Sequence, residues 1–221
     1  IVAGYSTIFT KELINIPQTG TINLHAGRLP EYRGGSPLNW QIINGETKAY
    51  ISVIKVDEGI DTGQVLQDQA MLIDKSTTIN DLHNQANKFF PQLVINIIDE
   101  FDKTGKISGR TQDEKKSVYW HQRNDDDGYI EFNKLEANQV NRLVRALTKP
   151  YPGAWALLGQ KKVRIFNAVI PKFDMRGVPG RICYVKGVGP YIICKDKALL
   201  IKEYIIENYP DMELKHGTRL T

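Results

Sequence analysis

The sequence predicts an α/β fold: a mainly parallel sheet flanked by helices over residues 1–150, followed by a small β-rich domain over residues 151–221. Two observations predict it. Short β-branched or apolar runs alternate with amphipathic helical stretches as far as Lys149-Pro150, and beyond Pro152-Gly153 only β-like runs occur, divided by Gly, Pro, Lys and Asp. The 221 residues, 41% hydrophobic and 24% charged, are enough chain for one packed domain and a smaller one.

In chain order, Ile1-Val2-Ala3-Gly4 reads as the end of a buried strand, so a segment upstream of it is expected to be missing. Lys11 to Ile16 form a short helix ended by Pro17. Thr21 to His25 read as a strand. Ser36 as N-cap, Pro37 at the first position and Asn44-Gly45 as the stop delimit a two-turn helix. Tyr50 to Val56 and Val65 to Ile73 are strands separated by the loop Asp57-Glu58-Gly59-Ile60-Asp61-Thr62-Gly63. From Ser76, the residues Ile79, Leu82, Ala86, Phe89, Leu93, Ile97 and Phe101 recur at helical spacing, marking a long amphipathic helix that contains Pro91. Val140, Leu143, Val144 and Leu147 give another. The later strands are Ala154 to Leu158, Val163 to Ile165, Ile182 to Val185, Tyr191 to Cys194 and Ala198 to Tyr204.

A formal charge of +4, spread without a Lys/Arg block, fits a phosphate-bearing partner but is weak evidence for one. The two cysteines, Cys183 and Cys194, lack the spacing of a disulfide framework or a zinc site, and no metal is expected. No apolar run approaches the roughly 20 residues of a membrane span. A cytoplasmic protein is the expectation.

In a strand, alternate side chains share a face, so Asn23 and His25 point to one side and Ile22 and Leu24 to the other. They end a strand, where open α/β sheets place their ligands. On the pattern alone, a strand-edge asparagine and a packed histidine fit equally well. Asp61 read alone is equally a loop-capping carboxylate.

The stretch Asn23-Leu24-His25-Ala26-Gly27-Arg28-Leu29-Pro30-Glu31-Tyr32-Arg33-Gly34-Gly35-Ser36-Pro37 resembles the N-x-H-x-S-L-L-P-x-x-R-G-x-x-P signature of the 10-formyltetrahydrofolate-dependent formyltransferases. Asp57 to Gly63 is similar to that family's D-E-G-x-D-T-G loop. The resemblance runs from Gly4 to about Ile73, and more loosely through Lys149 to Trp155. It implies a Rossmann-like first domain, without the βαβ unit with which the family begins its sheet, an OB-like second one, and N10-formyltetrahydrofolate as the formyl-donor cosubstrate. It also implies Asn23, His25 and Asp61 as the catalytic group. An amine attacking the formyl carbonyl builds negative charge on oxygen, which a side-chain amide such as Asn23 can hold. An imidazole can take the proton of the amine and return one to the departing folate nitrogen, with a carboxylate beside it. Neither a metal nor a covalent intermediate is needed.

By the same carry-over, Thr7, Ile8, Phe9, Asp57, Glu58, Gly59 and Ile60 would contact the folate, although Ile8 and Phe9 read equally as core. Tyr32, Arg33, Gly34 and Tyr151 would contact the acceptor, with Trp155 better read as core of the β-rich domain. Gly27-Arg28 replaces the usual Ser-Leu, and Gly35 stands where a relative acting on an aminoarabinose has a second arginine. Pro37-Leu38-Asn39-Trp40 and Asn44-Gly45-Glu46 resemble the sugar-modifying branch of the family. The implied acceptor is thus a nucleotide-linked amino sugar, best matched by dTDP-4-amino-4,6-dideoxyglucose, in the synthesis of surface polysaccharide such as the O-antigen of lipopolysaccharide. Transfer to methionyl-tRNA is the alternative, and a non-catalytic binding or dimerisation module a second. A membrane is not an expected partner, nucleic acid is disfavoured by the mild charge, and a homodimer is compatible with the family.

Overall fold

The computed structural model describes residues 1–5 and 7–221, which cluster into two compact units. The first comprises Ile1–Gln41, Glu46–Thr77 and Asp81–Arg123, and the second Ile42–Gly45, Thr78–Asn80 and Asn124–Thr221.

The elements up to Arg123 are, in order, β1 (Val2–Ala3), α1 (Lys11–Asn15), β2 (Ile22–His25), β3 (Arg33–Gly34), α2 (Pro37–Ile43), β4 (Lys48–Lys55), β5 (Val65–Leu72), α3 (Ile79–Thr104) and β6 (Tyr119–Trp120). A sheet of order β1-β2-β4-β5 forms the frame, and β3 pairs with β6 beside it. β1 runs parallel to β2, with Val2 opposite Asn23, whereas β2–β4 and β4–β5 are antiparallel. The sheet is therefore mixed, not mainly parallel. Strand patterning carries no direction, and β4 and β5 are joined by a loop with no crossover helix, which returns the chain antiparallel. Ser36 precedes α2 as expected, but at φ 50°, outside the extended backbone of an ordinary N-cap. Its hydroxyl accepts the N–H of Arg123 (3.2 Å).

α3 buries the stripe Ile79, Leu82, Ala86, Leu93 and Ile97 that its periodicity marks. Its Asn96 donates to Gln67 of β5 (3.4 Å). Gln67 lies opposite Val53, which lies opposite Leu24, so α3 lies on the sheet face of those residues. Asn23, His25 and Ser52 occupy the other face.

In the second unit, α4 (Ala137–Leu147) precedes β7 (Ala154–Leu158), β8 (Lys161–Val169), β9 (Ile182–Val185), β10 (Gly189–Ile193) and β11 (Ala198–Ile206). The strands form one antiparallel sheet of order β7-β8-β11-β10-β9, the β-rich C-terminal architecture that the sequence predicts. α4 starts in a capping box between Glu136 and Gln139 and buries Val140, Val144 and Leu147 against the β7, β8 and β11 side of this sheet. That packing draws the unit boundary to Arg123, earlier than the expected break at residue 150. Asp125 anchors the start of the unit. It accepts two bonds from Arg164 (2.6 and 3.0 Å) and one from Lys162 (2.8 Å). Those bonds, Arg164's foremost, hold its carboxyl down at about 2. Arg164 also pairs with Glu207. Trp155 donates its indole N–H to the Asp125 carbonyl (2.7 Å), with Lys162 over its ring, so it is a packing residue of this unit.

Candidate active site

β2 delivers both Asn23 and His25 to one face of the sheet. His25 is 5% exposed. The chain after β2 folds back over the sheet. Ser52 of β4 donates to the carbonyl of Gly27 (2.8 Å), and Gln41 of α2 donates to that of Ala26 (3.3 Å) while accepting the N–H of Tyr50 (2.8 Å). This return brings the carbonyl of Tyr32 to 2.7 Å from His25 Nε2. A carbonyl can only accept, so Nε2 carries a proton and the neutral ring presents Nδ1 as its basic atom.

Nδ1 faces Asp61 Oδ2 at 3.4 Å. Asp61 sits at φ 53° in the loop between β4 and β5. Upstream in that loop, the Asp57 carboxylate accepts the N–H of Gly59 (3.2 Å) and the hydroxyl of Thr62 (2.5 Å). The other contact of Asp61 Oδ2 is the N–H of Gly34 (2.9 Å). A protonated His25 thus has an acceptor at each N–H, and a neutral one offers a lone pair beside a carboxylate. Asn23 completes the group. Among the described residues its side-chain amide makes no hydrogen bond, and alternation along β2 sets it on the same face as His25.

The residues expected to contact the folate fall in two neighbouring segments. Thr7, Ile8 and Phe9 lie between β1 and α1, with Thr7 and Ile8 exposed and Phe9 beside Tyr5 (5.0 Å between ring centroids). Asp57, Glu58, Gly59 and Ile60 are also exposed, and Glu58 pairs with Lys11 of α1 (2.7 Å), linking the two segments. Ile8 is therefore not a core residue.

The residues expected to contact the acceptor divide differently. Arg33 is fully enclosed, and Gln112, Glu114 and Tyr119 take its guanidinium, so a direct contact with the acceptor is replaced by a structural role. Glu114 is held below the usual carboxylate range by that pairing. Tyr32 is 4% exposed, donates its hydroxyl to Glu46 (2.8 Å) and stacks on Trp120 (5.6 Å), which in turn lies 5.0 Å from Trp40. Its contribution to the site is its carbonyl. The Gly34 N–H is committed to Asp61. Tyr151 belongs to the second unit, in the turn after α4. Gln41, Ser52 and Gln112 escape a reading of the sequence, because isolated polar residues in apolar strands and helices or in a polar stretch carry no periodic signal. Among the described residues no His, Cys, Asp or Glu cluster could hold a metal, and no helix is long and apolar enough to cross a membrane.

Comparison with known proteins matches residues 1–98 to the formyl transferase family and residues 123–217 to the formyl transferase C-terminal domain. The bifunctional polymyxin resistance protein ArnA of Wigglesworthia glossinidia brevipalpis is 36% identical over 89% of this chain, which spans 29% of that protein. The methionyl-tRNA formyltransferase of Geobacter sulfurreducens is 32% identical over 100% of this chain, which spans 69% of it. Among solved structures, WlaRD, a sugar 3N-formyl transferase crystallised with dTDP and 5-N-formyl-THF, shares the fold. Its TM-score is 0.69 at 18% identity, over 93% of this chain and 71% of that one. HypX from Aquifex aeolicus, crystallised with tetrahydrofolic acid, has a TM-score of 0.66 at 22% identity, over 88% and 33%. With both domains matched and a curated relative aligned along the whole chain, this protein belongs to the folate-dependent formyltransferase family.

Proposed function

We propose that the protein transfers the formyl group of N10-formyltetrahydrofolate to the amine of a nucleotide-linked amino sugar. The observation that carries the chemistry is the grouping of His25 with Asp61 at 3.4 Å, its tautomer set by the Tyr32 carbonyl, on the strand that also bears Asn23. The amine nitrogen attacks the formyl carbon, and Asn23 donates to the oxygen as it becomes anionic. His25 Nδ1, with Asp61 beside it, takes the proton that the amine loses. The C–N10 bond then breaks, and the proton passes to N10 of the departing tetrahydrofolate. The segments Thr7 to Phe9 and Asp57 to Ile60 hold the cosubstrate.

The acceptor class follows from Pro37-Leu38-Asn39-Trp40 and Asn44-Gly45-Glu46, with dTDP-4-amino-4,6-dideoxyglucose the first candidate and surface polysaccharide its destination. Tyr151 is retained as an acceptor contact, and a homodimer as the assembly. A second reading, transfer to methionyl-tRNA, is favoured by relatives of that name, 31–35% identical over 91–100% of this chain. The full-length protein is incubated with N10-formyltetrahydrofolate and, separately, a panel of amino-sugar nucleotides and initiator methionyl-tRNA. A mass gain of one formyl group on a sugar nucleotide supports the first reading, and formylation of the tRNA alone replaces it with the second. No product from any acceptor leaves the non-catalytic module. His25→Ala and Asn23→Ala should each lower turnover about a hundredfold.

A further inference from the structure

We propose that Gln112 is a positioning residue that aims Asp61 at His25. It rests on the catalytic reading of Asp61 only for its effect on turnover. Gln112 lies in the polar stretch after α3, 6% exposed. Its side-chain Nε2 donates to the carbonyls of Asp61 and Gly63, both at 2.7 Å. Both amide hydrogens are thereby used on the two carbonyls that flank Thr62. Its Oε1 accepts from Arg33 Nε (3.1 Å) and Nη2 (2.9 Å). Turning the amide over would set its NH2 against the guanidinium and its oxygen against two carbonyls, so the orientation is fixed.

Arg33 is fixed in turn. Nη1 donates to Glu114 Oε2 and to the Tyr119 hydroxyl, both at 2.9 Å, and Nη2 donates to Glu114 Oε1 at 2.6 Å. With the two bonds to Gln112, all five guanidinium N–H groups are engaged. The neighbouring residue of the same short strand, Gly34, donates its N–H to Asp61 Oδ2 (2.9 Å). β3 therefore holds Asp61 at both ends: the carboxylate directly through Gly34, and the backbone through Arg33 and Gln112. That backbone lies at φ 53°, which a residue with a side chain keeps only when its surroundings hold it there. Without Gln112 the loop carbonyls of Asp61 and Gly63 lose their donor, the backbone is free to relax, and the carboxylate leaves both Gly34 and His25.

Gly34 N–H supplies a readout independent of catalysis. Amide hydrogen exchange is followed by NMR in the wild-type chain, in Asp61→Ala, in Gln112→Ala and in Gln112→Glu, which keeps the size but cannot donate to two carbonyls. Gly34 exchange should accelerate about tenfold or more in both Gln112 variants, approaching Asp61→Ala, while the amides of β4 keep wild-type rates. Turnover should fall about ten- to a hundredfold with KM changed less than threefold. Unchanged Gly34 exchange in the Gln112 variants overturns the proposal. If those variants do not fold, Glu114→Gln, at a carboxylate 67% exposed, loosens Arg33 from the solvent side. It should give a smaller acceleration of the same amide, and none would overturn the proposal. If Gly34 exchange responds but Asp61→Asn retains full turnover, the clamp stands and the catalytic reading of Asp61 falls.

Discussion

Gly34→Ala places one methyl group where the fold has least tolerance for it. The residue sits at φ 90°, and a Cβ there would overlap the carbonyl oxygen of Trp120, with the Trp120 carbon and nitrogen at 3.3 and 3.4 Å. The obstacle is backbone of the paired strand β6, so no rotamer change relieves it. Two costs add: about 1–3 kcal/mol for a side chain in a left-handed conformation, and about 1–3 kcal/mol for the forced separation of β3 from β6. Their sum centres on about 4 kcal/mol, or a melting point lowered by about 8–16 °C for a chain of this size. Gly159→Ala supplies the control, because Gly159 lies at φ 63° with nothing within 4 Å of its Cβ, leaving the conformational cost alone. That cost, centred on about 2 kcal/mol, should lower its melting point by about 4–8 °C. Separation of β3 from β6 also withdraws the Gly34 N–H from Asp61, so turnover should fall about a hundredfold in Gly34→Ala and stay at the wild-type level in Gly159→Ala. Thermal unfolding with a formylation assay on both variants decides it. Equal melting points would refute the overlap argument, and full turnover in Gly34→Ala would refute the link from β3 to Asp61.

Three further outcomes are expected. Arg164 and Lys162 hold the Asp125 carboxyl down at about 2, against roughly 4 in an unfolded chain. Their stabilisation is therefore present above about pH 4 and lost as pH falls towards 2, and Asp125→Asn should remove that part of the acid unfolding curve, read by circular dichroism. Burial, with the nearby charge of Asp196, pushes the Cys194 thiol up to about 12, while Cys183 is half-exposed. Mass spectrometry after iodoacetamide at pH 8 should find one label on the native protein, at Cys183, and two after denaturation. Ile51→Ala, at a fully buried position in the central strand β4, should cost about 2–5 kcal/mol in urea unfolding.

The pairing of Asn23 with His25 on one face is legible because alternation in a strand is local, and Asp61 is legible because its loop repeats a signature. What lies beyond local pattern is not. Arg33 reads as a cation free to meet a diphosphate, since nothing in Tyr32-Arg33-Gly34 announces that Gln112, Glu114 and Tyr119, far along the chain, enclose it. Strand direction is equally silent in β4 and β5, whose composition suits either pairing. α4 shows its apolar face in the sequence, but not that β7, β8 and β11 are what that face covers, and this misplaces the boundary by a whole helix.

The chain has three tryptophans. Trp40 and Trp120 lie with ring centroids 5.0 Å apart in the first unit, and Trp120 stacks on the Tyr32 whose carbonyl sets the His25 tautomer. Indoles so close couple their excited states, giving the first unit an exciton couplet in the ultraviolet beside the loop that orients His25. Trp155, packed between Lys162 and Tyr129 in the second unit, has no second indole there with which to couple. Each unit thus carries its own optical label, and the order in which the two come apart can be read without attaching a dye.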